Sequence, residues 1–165
     1  RADVRPYDPD SFPYERRRED YAFSEKNMEY LELMTELCRE NGVELILMKA
    51  PSAYPVWVEP YEEQIESFAK EHGLMYLNTL EHEEIGIDLD TDTYDGGLHL
   101  NVYGAEKISG WLGPILRDSL GLEDHRGDSE LSSIYEARLQ AYEAEKAAQE
   151  LEFSETGYIS RYRNE

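Results

Sequence analysis

The sequence has 165 residues and a formal charge of −21, enough chain for one domain with its own core and a composition suited to water. No basic stripe accompanies the acidity, which excludes nucleic acid as an expected partner and argues against an anionic membrane surface. No apolar run reaches the roughly 18 residues of a membrane helix. The chain opens Arg1-Ala2-Asp3, without a Met or a signal peptide, which suggests a processed or truncated product.

Residues 1–23 are rich in Pro, Tyr, Arg and Asp. Pro6, Pro9 and Pro13 forbid a continuous helix, so an irregular, partly exposed arm is expected. Ser24 is placed to cap a helix whose inner face would hold Met28, Leu31, Met34, Leu37 and Cys38, with Asn41-Gly42 as its stop. Cys38, the single cysteine, is then read as a small core residue. Val43 to Met48 reads as a buried parallel strand, and a second helix starts near Pro60 and ends at Gly73. Leu74 to Leu77 is a second short strand. The long segment from Asn78 to Leu98 has no strong helix or strand signal, and a loop of that length usually has a functional role. A third helix starts near Asn101 or Val102, where Pro114 is expected to kink or split it. After Gly121 a polar turn leads into a long charged helix from Ser129 to Leu151.

This alternation is that of an open parallel α/β sheet, in which ligands bind in the loops after the carboxyl ends of the strands. Two strands leave edges and apolar faces uncovered, so further strands, or self-association, are expected to complete the sheet. The organisation expected is an arm at 1–23, an α/β region at 24–120 and a polar linker with a charged helical tail at 121–165.

The second of the two loops ends in Thr93-Tyr94-Asp95-Gly96-Gly97-Leu98-His99-Leu100-Asn101. A histidine there can act as general base if a nearby carboxylate holds its ring in one tautomer. The string Asp95 to Asn101, followed by Val102-Tyr103-Gly104-Ala105-Glu106-Lys107, resembles the last conserved block of SGNH/GDSL-type hydrolases, as known from bacterial members. The helix and strand from Tyr30 to Ser52 and the stretch Leu122 to Asp128 resemble the same group, so the likeness covers about residues 25–130.

The resemblance implies a three-layer, flavodoxin-like α/β fold, with only its C-terminal part in this chain. It also implies a serine esterase, lipase-like or O-acetyl esterase/transferase activity. His99 would be the general base and Asp95 its orienting acid. The family spacing is Asp-x-x-His, one residue shorter than here, which leaves Asp92 as an alternative partner. Ser52, Asp92, Tyr94 and Asn101 are further candidates to line the site. The family's Gly-Asp-Ser block and oxyanion donors are missing. Gly127-Asp128-Ser129 matches the letters but follows no strand and reads as a helix cap. The nucleophile is therefore expected outside this chain, and the chain alone is expected to be inactive. No metal or organic cofactor is implied, the substrate would be an ester-bearing small molecule or carbohydrate, and the parent protein would be extracytoplasmic or attached to the cell envelope.

Two other readings compete. Asp88-x-Asp90-x-Asp92 resembles the opening of a calcium loop, but Thr93 and His99 stand where that loop needs Gly and Glu. Tyr54, Trp57, Tyr61, Tyr94 and Tyr103, on or near the ligand-side loops, would suit a non-catalytic binding module, carbohydrate being one ligand. His72, His82 and His125 read as surface histidines.

Overall fold

The computed structural model describes residues 1–11, 21–54 and 56–162; Pro13 and the rest of 12–20, part of the expected arm, lie outside the described residues. The protein is mixed α/β, mostly helical, with a small parallel sheet and a long C-terminal helix. It divides into two compact units, one of Arg1–Pro9 with Glu84–Glu165 and the other of Asp10–Glu83.

In the unit Asp10–Glu83 the order is α1 (Glu25–Glu40), β1 (Ile46–Lys49), α2 (Glu59–His72) and β2 (Met75–Asn78). The strands pair in parallel, Ile46 opposite Met75 through Lys49 opposite Asn78. Both begin and end later than their apolar runs suggest, because the paired backbone extends to the polar Lys49 and Asn78. Thr79 closes this end by donating from Oγ1 to the Lys49 carbonyl at 2.6 Å. Ser24 caps α1 as expected, its side chain accepting from the Asn27 amide. Gly73 ends α2 at φ 67°, in the left-handed region.

The core of this unit is aromatic. Tyr61 and Phe68 of α2 are buried. Tyr61 lies 5.1 Å from the Phe23 ring and 5.6 Å from Trp57 between centroids, while Gln64 ties down the incoming chain by accepting from the Phe23 amide at 2.9 Å. Two expectations are corrected here. Among the described residues of α1 only Thr35 is buried; Met34 and Leu37, expected to face inward, are 46% and 61% exposed, and Cys38 is partly exposed. The apolar spacing marks a face, but that face is not closed over, and Met34 and Leu37 on it stay exposed. His72 is not a surface histidine: its side chain is 14% exposed, stacked on Phe68 and 3.1 Å from Glu32.

In the other unit, α3 (Val102–Leu120) runs unbroken through Pro114, so the proline neither splits nor ends it. Tyr103 is joined to α4 (Ser129–Thr156) through its hydroxyl, which donates to Glu150 at 2.9 Å. Burial and this bond to Glu150 raise the Tyr103 phenol to about 12. Asp128 caps α4 by accepting from the Glu130 and Leu131 amides.

Two glycines of α3 make a matched test. A Cβ on Gly104 would lie 2.6 Å from the Asp92 carbonyl oxygen, which already accepts from the Asn101 amide. A Cβ on Gly110 would meet nothing within 4 Å. Alanine improves helix propensity by about 1 kcal/mol at either site, while overpacking costs about 1–3 kcal/mol. Gly104→Ala is therefore expected to destabilise by up to about 2 kcal/mol and Gly110→Ala to stabilise by about 0.5–1 kcal/mol, as read by urea unfolding.

Glu106 receives Lys146 Nζ at 2.7 Å and the Tyr142 hydroxyl at 2.9 Å. These two hydrogen bonds hold its carboxyl below the ordinary value. A depressed carboxyl stabilises the fold above its unfolded pKa, and that contribution is lost as pH falls through the folded value. The α3–α4 contact is expected to weaken on acidification below about pH 4. Glu106→Gln should flatten the dependence of the unfolding midpoint on pH, by a small amount because the pair is partly exposed.

Candidate active site

The segment from Asp88 to Asn101 is folded by its own polar side chains. Among the described residues, the largest fully buried side chains are those of Asn101, Thr35, Thr93 and Asp92; three of these four belong to this loop. Thr93 is 0% exposed and donates from Oγ1 to the Leu89 carbonyl at 2.8 Å while accepting from the Gly97 amide at 2.9 Å. Gly96 and Gly97 turn the chain at φ 80° and 103°, angles that side-chain-bearing residues rarely adopt. A single antiparallel bridge, Thr93 to Leu100, closes the turn.

This turn brings Asp95 and His99 together. His99 Nδ1 is 2.6 Å from Asp95 Oδ2. The other oxygen, Oδ1, accepts from the His99 amide at 2.8 Å and from the Leu98 amide at 3.2 Å. Three contacts thus fix one carboxylate, and the extra residue between acid and base supplies one of its amide donors. An ionised carboxylate only accepts, so the proton of the Nδ1···Oδ2 bond belongs to the imidazole. Neutral His99 is then the Nδ1–H tautomer, with a basic lone pair on Nε2. The ring is 67% exposed, and Nε2 has no hydrogen-bond partner among the described residues.

Asp92 is placed differently. Its carboxylate is 2% exposed, 2.6 Å from Lys107 Nζ of α3, and accepts from the Asp88 amide at 2.8 Å. Asn101 is 1% exposed. Its Oδ1 caps α3 at the Tyr103 and Gly104 amides, and its Nδ2 donates to the Thr91 carbonyl at 2.8 Å. Both residues are buried and hold the loop together as scaffold rather than as accessible lining. Tyr94 stacks on His99, with centroids 5.8 Å apart and planes 11° apart. The carboxylates of the Asp88-x-Asp90-x-Asp92 run are engaged within this unit: Asp88 accepts from the Asp90 amide and Asp90 from the Tyr7 amide. Among the described residues no group of three or more His, Cys, Asp or Glu is arranged to hold a metal ion.

Residues 1–7 contribute what the sequence did not suggest. Ala2 and Asp3 are buried. The Arg5 amide donates to the Thr93 carbonyl at 3.0 Å, and Asn101 Nδ2 donates to the Asp3 carbonyl at 3.3 Å. The beginning of the expected arm is therefore part of the scaffold of the histidine loop.

Ser52 belongs to the other unit, after β1, where its hydroxyl donates to the Tyr54 carbonyl at 2.7 Å. At the carboxyl ends of the strands in that unit, Glu62 Oε2 accepts from the Tyr76 hydroxyl and from Asn78 Nδ2, each at 2.9 Å, and from Trp57 Nε1. Burial and the bond to Glu62 push the Tyr76 phenol up, and burial pulls the Lys49 ammonium down. Among the described residues no helix is long and apolar enough to cross a membrane. No protein-family model, curated protein or solved structure matches the chain.

Proposed function

We propose that the chain is the C-terminal part of an SGNH/GDSL-type ester hydrolase with a three-layer α/β fold, supplying the acid and base of the catalytic triad. The observation that supports this reading is the carboxylate of Asp95, fixed by two backbone amides and set 2.6 Å from Nδ1 of an exposed His99. That arrangement does what a serine hydrolase requires of its acid and base.

In this mechanism a serine from outside the chain attacks the ester carbonyl carbon. His99 Nε2 takes the hydroxyl proton as the new C–O bond forms, and Asp95 stabilises the imidazolium. The proton then passes to the departing alkoxide as the acyl–oxygen bond breaks. Water, deprotonated by the same Nε2, releases the acid and restores the serine. No metal or organic cofactor enters the scheme. The substrate class is a short acyl ester, such as an acetyl group on a carbohydrate.

The complete protein, with the segment that supplies the serine, should turn over p-nitrophenyl acetate and lose that activity with His99→Ala. The 165-residue chain alone should not. Turnover by the chain alone that depends on His99, or turnover by the complete protein that survives His99→Ala, would overturn the reading.

A further inference from the structure

The geometry points to Tyr94 as the positioning residue for the His99 ring, itself clamped by Arg1 and Tyr162; the inference rests on the reading of His99 as a general base. One hydrogen bond from Nδ1 sets the tautomer but leaves the imidazole free to swing about the N···O axis. A general base needs Nε2 aimed at the hydroxyl it deprotonates, and small misplacements are costly. The near-parallel stack with Tyr94 supplies a second constraint on the ring plane.

Tyr94 is in turn held on several sides. Its backbone amide donates to the His99 carbonyl at 3.2 Å. The Arg1 guanidinium lies 4.4 Å from the Tyr94 centroid and 4.5 Å from that of Tyr162, so a cation is held against two ring faces. Arg1 is fixed as well, forked onto the Asp3 carboxylate through Nε at 3.1 Å and one terminal nitrogen at 2.8 Å. Its carbonyl accepts from the amide of Val102, the first residue of α3, at 2.8 Å. Tyr162 stands in the 3-10 turn Ser160–Tyr162, which follows buried Ile159. The series Tyr162, Arg1, Tyr94, His99 thus joins three distant stretches of sequence to one imidazole. A planar guanidinium is suited to this place because it stacks while keeping its hydrogen bonds in the plane; a lysine could not do both.

The test is NMR of the His99 ring in the chain as it stands, followed by kinetics in the complete protein. Wild type should show nuclear Overhauser contacts between the Tyr94 and His99 rings and a slowly exchanging Nδ1 proton. Tyr94→Leu should speed Nδ1 proton exchange about tenfold, Tyr94→Phe should keep both the ring contacts and the wild-type exchange, and Arg1→Gln should weaken the ring contacts with the fold retained. In the complete protein Tyr94→Leu should lower kcat about tenfold at unchanged KM, again with rescue by Phe. Unchanged Nδ1 proton exchange in Tyr94→Leu, or unchanged ring contacts and exchange in Arg1→Gln should Tyr94→Leu fail to fold, would overturn the positioning role. Faster exchange in Tyr94→Leu, together with a complete wild-type protein that has no esterase activity, would instead sink the hydrolase reading and leave the clamp standing.

Discussion

Asp95→Asn is expected to lower kcat for ester turnover in the complete protein by about 10⁴, with KM nearly unchanged. The amide can keep its oxygen toward the Leu98 and His99 backbone N–H groups, which now bind Asp95 Oδ1. Its NH₂ group then faces the ring nitrogen that contacts Oδ2 at 2.6 Å in the native protein. A donor there requires Nδ1 to accept, which moves the imidazole proton to Nε2. In the proposed mechanism the base is then blocked at the atom that would receive the serine proton, and the negative charge that would stabilise the imidazolium is gone. The fold should change little, because the loop contacts of Oδ1 survive. Steady-state kinetics alongside circular dichroism checks this; a fall of less than tenfold would show that the carboxylate has no such role.

The second large effect is one of stability. Asn101→Ala is expected to destabilise the protein by about 2–4 kcal/mol. Loss of the cap at the Tyr103 and Gly104 amides accounts for about 1 kcal/mol. The remainder comes from the carbonyls that Asn101 Nδ2 serves, those of Thr91 at 2.8 Å and of buried Asp3 and Thr93 at 3.3 and 3.4 Å, which lose their donor. Asn101→Asp separates the two parts, since it keeps the capping oxygen and turns an acceptor toward those carbonyls. It should lose most of the same stability, whereas a cost limited to the cap would leave it close to wild type. Urea unfolding of both variants makes the comparison.

The sequence made the helices legible because each has a local signal: Ser24 before α1, Asn101 before α3, and glycines after α2 and α3. The strands were legible as apolar runs, but their limits were not, since pairing with a distant partner decides where a ladder ends. Pro114 does not split α3, for a related reason: a proline removes one hydrogen bond, and the 19-residue helix around it tolerates that loss. In α1 the periodicity identified an apolar face without identifying what lies against it, so Leu37 and Cys38 were assigned to a core they do not fully enter.

At the site, the Asp-x-x-x-His spacing by itself was a weak signal, and it was the resemblance of the string Asp95 to Asn101 that singled out His99 with two candidate acids. The structure sets Asp95 against the ring and Asp92 against Lys107, a partner 15 residues on that no local pattern announces. Arg1 and Tyr162 were out of reach for the same reason, since only the folded chain brings them to Tyr94.

The most direct measurement is the tautomer of neutral His99, read from ¹⁵N chemical shifts of its two ring nitrogens in the isolated chain. A predominantly Nδ1–H ring in the wild type, with Asp95→Asn shifting it toward Nε2–H, is the expected result. A wild-type ring protonated mainly at Nε2, or one indifferent to Asp95→Asn, would contradict the assignment of His99 as a base oriented by Asp95.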